Sequence, residues 1–163
     1  MKKIQFEVLG SPAPKGSSRA IYSEKLGRAF NVPSGSNVNR DRMKTWDAAV
    51  REAAKAVVGN VTAPPFVMVP LVVTIIFRLA RPADHWSKKG GLKDWARDAR
   101  PHFKPDIDKL TRSTLDAMAG TVFDDDARIV ACQMNKIYAR PGEEGAWISV
   151  KLSEPQPMRE ATN

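Results

Sequence analysis

The sequence predicts a single domain of the α/β or α+β class, and three observations carry that expectation. The chain has 163 residues, the usual size of one domain. Its hydrophobic content of 42% is enough for one core. Strand patterns stand at both ends with helical patterns between them, and no internal repeat or second boundary interrupts the run.

The elements follow in order. "KKIQFEVLG" alternates, with Ile4, Phe6 and Val8 on one side and Lys3, Gln5 and Glu7 on the other, which predicts a half-buried strand. "GSPAPKGSSR" is too rich in proline and glycine for regular structure, and the polar residues 20–40 read as loop. A helix is expected from about Asp41. Trp46, Val50, Ala53 and Val57 recur there at helical spacing, and Lys44, Arg51 and Lys55 take another face. Gly59 and Pro64–Pro65 end it.

"VPLVVTIIFRLA", dense in β-branched residues, predicts a central strand. Residues 81–103 hold Gly90–Gly91, Trp86, Trp95 and many charges, and read as a long exposed loop of the kind that carries function. A second helix is expected from Asp108 to Ala119, stopped by Gly120. "ARIVACQMNKIYA" and "GAWISVKL" then read as two strands joined by "RPGEEG", predicting a hairpin. The domain is expected to occupy 1–152, with 153–163 as a flexible polar tail.

Lysine and arginine total 26 against 18 acids, a formal charge of +8. That balance points to a polyanion, nucleic acid before membrane, because the longest apolar run is too short to span a bilayer. Cys132 is the only cysteine, which excludes an intrachain disulfide, and no His/Cys cluster has zinc-site spacing. The opening "MKKIQFEVLG" breaks its apolar run at Gln5 and Glu7, unlike a signal peptide. A cytoplasmic protein is expected.

Against this basic background the acids are crowded. "KPDIDKL" holds Asp106 and Asp108 directly behind Pro105, and "FDDDARIV" holds Asp124, Asp125 and Asp126. If Asp106 and Asp108 are both extended, their side chains share a face and repel each other unless a cation lies between them. A hard divalent ion with oxygen ligands, Mg²⁺ or Mn²⁺, suits such a pair. The bland alternative makes Asp108 a helix N-cap and the aspartate run a solvated turn. Asp108, Arg112 and Asp116 fall four residues apart on one helix face, either a salt-bridged surface or one wall of a metal site. Where the chain becomes extended towards Ala127, Asp124 and Asp126 should share one face and Asp125 take the other.

"KPDIDKLTRSTLDAMAGTVFDDDARIV" resembles the signature of the RusA family of Holliday junction resolvases, and "VLGSPAPKGSSR" resembles that family's opening strand and loop. The likeness covers roughly residues 4–152. It implies an α+β domain with a mixed β-sheet and two main helices. It also implies a Mg²⁺-dependent (Mn²⁺ able to substitute), homodimeric endonuclease of bacterial or phage origin. Such an enzyme resolves four-way junctions and other branched DNA in recombination and repair. Asp106, Asp108 and Asp126 are its implied metal ligands, with Asp125 the alternative to Asp126. Arg112 stands where the family has a catalytic lysine; it keeps the charge but is a poor proton donor. Lys109 stands where the family usually has asparagine.

The chemistry suits the residues on independent grounds, since carboxylate-held Mg²⁺ can activate water and stabilise charge on a phosphodiester. Lys15, Arg19, Lys88, Lys89, Lys93, Lys104 and Lys109 are the candidate DNA contacts, and Trp86 and Trp95 could stack on exposed bases. A binding module that recognises junctions without cutting them is the alternative. A nucleotide-dependent transferase is disfavoured, because "GSPAPKGSS" matches no phosphate-binding loop.

Overall fold

The computed structural model describes residues 3–16, 18–33, 37–59 and 61–155. Their backbone builds β1 (Lys3–Leu9), β2 (Ser18–Ser23), β3 (Arg28–Pro33), α1 (Asn37–Val58), β4 (Leu71–Leu79), α2 (Ile107–Met118), β5 (Ile129–Tyr138) and β6 (Gly145–Leu152). The main sheet has the order β1-β6-β4-β5, with β4 and β5 parallel and the other pairs antiparallel. β2 and β3 pair with each other as a separate two-stranded ribbon. The chain is thus a single α+β domain with a mixed sheet and two main helices, as the sequence predicts.

The sheet is organised by β4. Leu71, Val73, Ile75, Phe77 and Leu79 are buried on one face, and the intervening residues are half-buried on the other. Ile4, Phe6 and Val8 of β1 and Ala146, Ile148 and Val150 of β6 extend the same core. Trp46, Val50 and Ala54 of α1 close it, together with Leu110, Ala117 and Met118 of α2. The buried face of α1 keeps the expected Trp46 and Val50, with Ala53 half-buried against the core, and it adds Ala54, whereas the expected Val57 is exposed. A strict four-residue step from Trp46 gives that face. The two helices are tied inside the core where Trp46 Nε1 donates to Thr114 Oγ1 at 3.1 Å.

The expected hairpin between the last two strands does not form. β5 lies on one side of β4, and β6 lies on the other, between β4 and β1. Composition explains the arrangement. "GAWISVKL" is mostly apolar, with only Ser149 and Lys151 polar, and is largely buried, as suits an interior strand. "IVACQMNKIY" carries polar residues along much of its length, is largely exposed, and suits an edge. The polar stretch 20–40, expected as loop, contains the β2–β3 ribbon, and α1 begins at Asn37 rather than near Asp41. "RAFNVP" within that stretch has enough β-forming residues to pair with β2.

The 81–103 segment has no long element, as expected, but it is a folded arm rather than a loose loop. Short 3-10 turns at Ala83–His85 and Asp94–Ala96, and a bridge between Trp86 and Leu92, give it form. His85 is buried, its ring edge-on to Trp95 at 4.8 Å and to Tyr138 at 5.0 Å. Arg81 reaches back to the Ala96 carbonyl at 2.6 Å and lies 4.9 Å from the centre of the Tyr138 ring. Residues 153–155 follow β6 without helix or strand, and the rest of the expected tail lies outside the described residues.

One glycine is required by packing. A Cβ on Gly145 would lie 1.9 Å from the Val8 carbonyl oxygen, and its φ is +154°. β1 and β6 approach there with no room for a side chain. Gly145→Ala is expected to destabilise the fold by about 2–3 kcal/mol, the range of severe packing and backbone clashes. A urea denaturation midpoint equal to that of the unsubstituted chain would contradict this.

Candidate active site

The acid pair sits where α2 begins. Asp106 is the N-cap, with extended backbone at φ −68° and ψ 135°, and its carbonyl accepts the first helical hydrogen bond from Leu110 at 3.1 Å. Its side chain makes no capping bond. The carboxylate instead meets Lys109 Nζ at 2.9 Å, one turn along the helix. Asp108 is already helical, an exposed acid in the first turn, where the helix dipole favours negative charge. The cap is therefore Asp106, not Asp108. The expected shared extended face does not exist either, because the chain turns into the helix between the two acids.

Lysines surround the pair. Lys109, then Lys104 and Lys136, hold the Asp106 carboxyl below its ordinary pKa, and Asp106 with Asp108 raises that of Lys109. Lys136 was not singled out from the sequence. It reaches from β5 and donates to the Phe103 carbonyl at 2.9 Å and the Pro105 carbonyl at 3.0 Å, fixing the chain that leads into Asp106. A lysine within a strand carries no sequence signal of that role, since only the fold brings residue 136 beside residue 105.

The stripe on α2 divides. Asp116 pairs with Lys15, and the Lys15 amide donates to the Lys109 carbonyl at 3.1 Å, so the loop after β1 is docked along the helix. Arg112 is exposed and has no ion-pair partner among the described residues. Asp108, Arg112 and Asp116 are therefore not a salt-bridged ladder. Lys104 is exposed beside Asp106. Lys88 and Lys89 are exposed at the tip of the arm, and Lys93 bonds the Asp84 carbonyl at 2.7 Å with Trp95 below it. Trp86 is half-buried and Trp95 mostly exposed. The backbone of Arg19 belongs to β2, and its side chain lies outside the described residues.

The triple aspartate is a turn and not a strand entry. Residues Asp126–Arg128 form a 3-10 turn, and β5 starts only at Ile129. The expected alternation of faces fails for that reason. Asp124 is committed to Arg128 at 3.1 Å and to the Met68 amide at 3.4 Å, and both hold its carboxyl below the ordinary range, Arg128 the more strongly. Asp125 caps the turn by accepting from the Ala127 amide at 2.8 Å. Asp126 is exposed and has no side-chain partner among the described residues.

The acids thus form two groups, one at the start of α2 and one just before β5. Among the described residues no three His, Cys, Asp or Glu side chains are close enough to hold a metal ion. Asp106 and Asp108 are nevertheless hard, solvent-accessible oxygen donors of the kind a divalent ion takes. No helix among the described residues is long and apolar enough to cross a membrane.

Comparison with curated proteins gave no match. Residues 12–150 match the family described as endodeoxyribonuclease RusA. That match spans most of the chain, including β4, the whole of α2 and both acid groups, and the chain belongs to the RusA endodeoxyribonuclease family.

Proposed function

We propose that this protein is a divalent-metal-dependent endonuclease that resolves four-way and other branched DNA junctions by phosphodiester hydrolysis, as a homodimer, in recombination and repair. The observation that carries the proposal is the solvent-accessible acid pair at the start of α2, with Lys109, Lys104 and Lys136 beside Asp106, in a member of this nuclease family. Divalent-metal dependence is a property of the family's resolvases. For this chain Mg²⁺ is the proposed ion, with Mn²⁺ as a substitute, held by Asp106, Asp108 and Asp126. Asp126 is favoured over Asp125 because its carboxylate is the uncommitted one of the run. An ion held by such carboxylates supplies charge for the phosphoryl oxygens and an activated water.

The remaining roles fall to cations. Arg112, exposed one turn along α2 from Asp108 and without an ion pair among the described residues, is the cation proposed to hold a phosphate oxygen. Lys104, Lys88 and Lys89 extend the positive surface, whose contacts orient DNA without reading sequence. Lys15 and Lys93 make intramolecular bonds and would have to exchange them for phosphate.

A labelled four-way junction tests the assignment. Asp106→Asn, Asp108→Asn and Asp126→Asn are each expected to abolish Mg²⁺-dependent nicking while retaining junction binding. Asp125→Asn should keep substantial activity, because asparagine can also cap the turn. Cleavage at near wild-type rate by Asp106→Asn or Asp108→Asn would remove the acid pair from the mechanism. A stable complex of the unsubstituted protein with no product in Mg²⁺ would favour the junction-binding module.

Lys109 offers a second test. Its ammonium neutralises Asp106, and a divalent ion must compete with it for that carboxylate. Lys109→Asn is expected to tighten Mn²⁺ binding by about two- to fivefold, the range corresponding to a part-exposed ion pair. Calorimetric titration showing unchanged or weaker binding would contradict this.

A further inference from the structure

The chain that leads into Asp106 presents two rings to solvent. Phe103 is 71% exposed, and His102 beside it is exposed as well. Their ring centres lie 4.0 Å apart with the planes tilted by 40°, so they stand as one pair. The backbone beneath them is anchored. Pro101 is buried, His102 Nδ1 donates to the Arg100 carbonyl at 3.0 Å, and the Phe103 carbonyl accepts from Lys136 Nζ at 2.9 Å. The same ammonium holds the Pro105 carbonyl, so the rings and Asp106 are set on one fixed stretch.

A phenyl ring left in water forgoes the burial that aromatic side chains ordinarily gain. Single exposed apolar residues are common. This one is anchored, paired with a second ring, and placed three residues before Asp106. Three residues span at most about 11 Å, roughly three nucleotide steps along one strand. DNA with a phosphate at the acid pair therefore brings neighbouring bases within reach of Phe103. The tryptophans of the arm are placed differently. Trp86 is half-buried and bridged to Leu92, and Trp95 lies edge-on to the buried His85.

Ring chemistry decides the ligand. A phenyl group offers no hydrogen bond, so it neither neutralises a phosphate nor reads a base edge. It takes the flat face of a base, which stacks on an aromatic ring whatever the base's identity. In continuous duplex those faces are covered by their neighbours, and uncovering one costs unstacking energy. At a branch point the stack is already interrupted. The exposed Lys104 next to the ring attracts the phosphates of duplex and junction alike, and the ring distinguishes the two.

We propose that Phe103, backed by His102, is the residue that selects branched DNA: its ring stacks on a base left unstacked at the branch point and so seats the adjoining phosphate at the acid pair. The inference rests on the nuclease reading given above and adds to it the group that separates a junction from plain duplex.

A fluorescent adenine analogue tests it, in binding experiments without divalent ions so that no strand is cut. Four-way junctions carry the analogue either at the branch point or in the middle of an arm. The unsubstituted protein is expected to change the emission of the first and not of the second. Phe103→Ala should lose that change and bind the junction about 5- to 150-fold more weakly, the range for one base–aromatic stack. Its duplex affinity, Mn²⁺ affinity and urea midpoint should be unaltered. Phe103→Trp, which keeps an aromatic face, should retain both the emission change and the junction affinity. A Phe103→Ala chain that keeps the emission change and the junction-to-duplex affinity ratio would overturn the proposal and leave the nuclease reading standing. So would one that weakens on junction and duplex alike, since the ring is then a general contact, or one whose urea midpoint falls, since the ring is then packing. An unsubstituted protein that neither prefers a junction to a duplex nor cuts one would overturn both readings.

Discussion

The parallel pairing of β4 with β5 is the constraint on which the site depends. Two parallel neighbours cannot be joined by a tight turn, so the chain leaving the end of β4 must travel back to the start of β5. It does so through the arm, α2 and the aspartate turn, and those three segments contain every candidate acid. The helix is held against the sheet by Leu110, Ala117 and Met118, and against α1 by the Trp46–Thr114 bond. Its first turn is thereby fixed at one end of β5 and the aspartate turn at the other. The crossover that completes the fold is also what parts the acids.

Electrostatics refines the picture at the start of α2. A carboxylate pair at a helix N-terminus is stabilised by the dipole, and here Lys109, Lys104 and Lys136 add to that stabilisation. Asp106 accordingly stays ionised to lower pH than an ordinary aspartate. Any stability it gains from these lysines is present above the ordinary carboxylate range and is lost as pH falls through its depressed pKa. Lysines and carboxylates are thus built side by side at the start of α2.

Much of this was legible from residues alone. The alternation in β1, the β-branched run of β4 and the helical spacing of α2 each depend on short-range periodicity, and the structure has all three elements. The acid pair was visible because acids are scarce around it. What was not legible depended on the partners that the fold supplies. "ARIVACQMNKIYA" and "GAWISVKL" are adjacent in sequence and look like a hairpin, but their unequal hydrophobicity sends one to the edge and the other to the interior. Asp106 rather than Asp108 became the cap because its own backbone is extended and the helix starts at Ile107. The aspartate run reads as a strand entry until Arg128, one helical turn on, draws Asp124 into a tight turn. Lys136 could be found only once β5 lay beside the arm.

The acid pair at the start of α2 is the centre of this account, and its occupancy can be observed directly. Crystals of the unsubstituted protein soaked in Mn²⁺ would be measured at the manganese absorption edge. An anomalous peak is expected within bonding distance of Asp106 and Asp108 oxygens, with the Lys109 ammonium displaced from Asp106. A strong peak elsewhere, with Lys109 still paired to Asp106 and no density between the two acids, would contradict it.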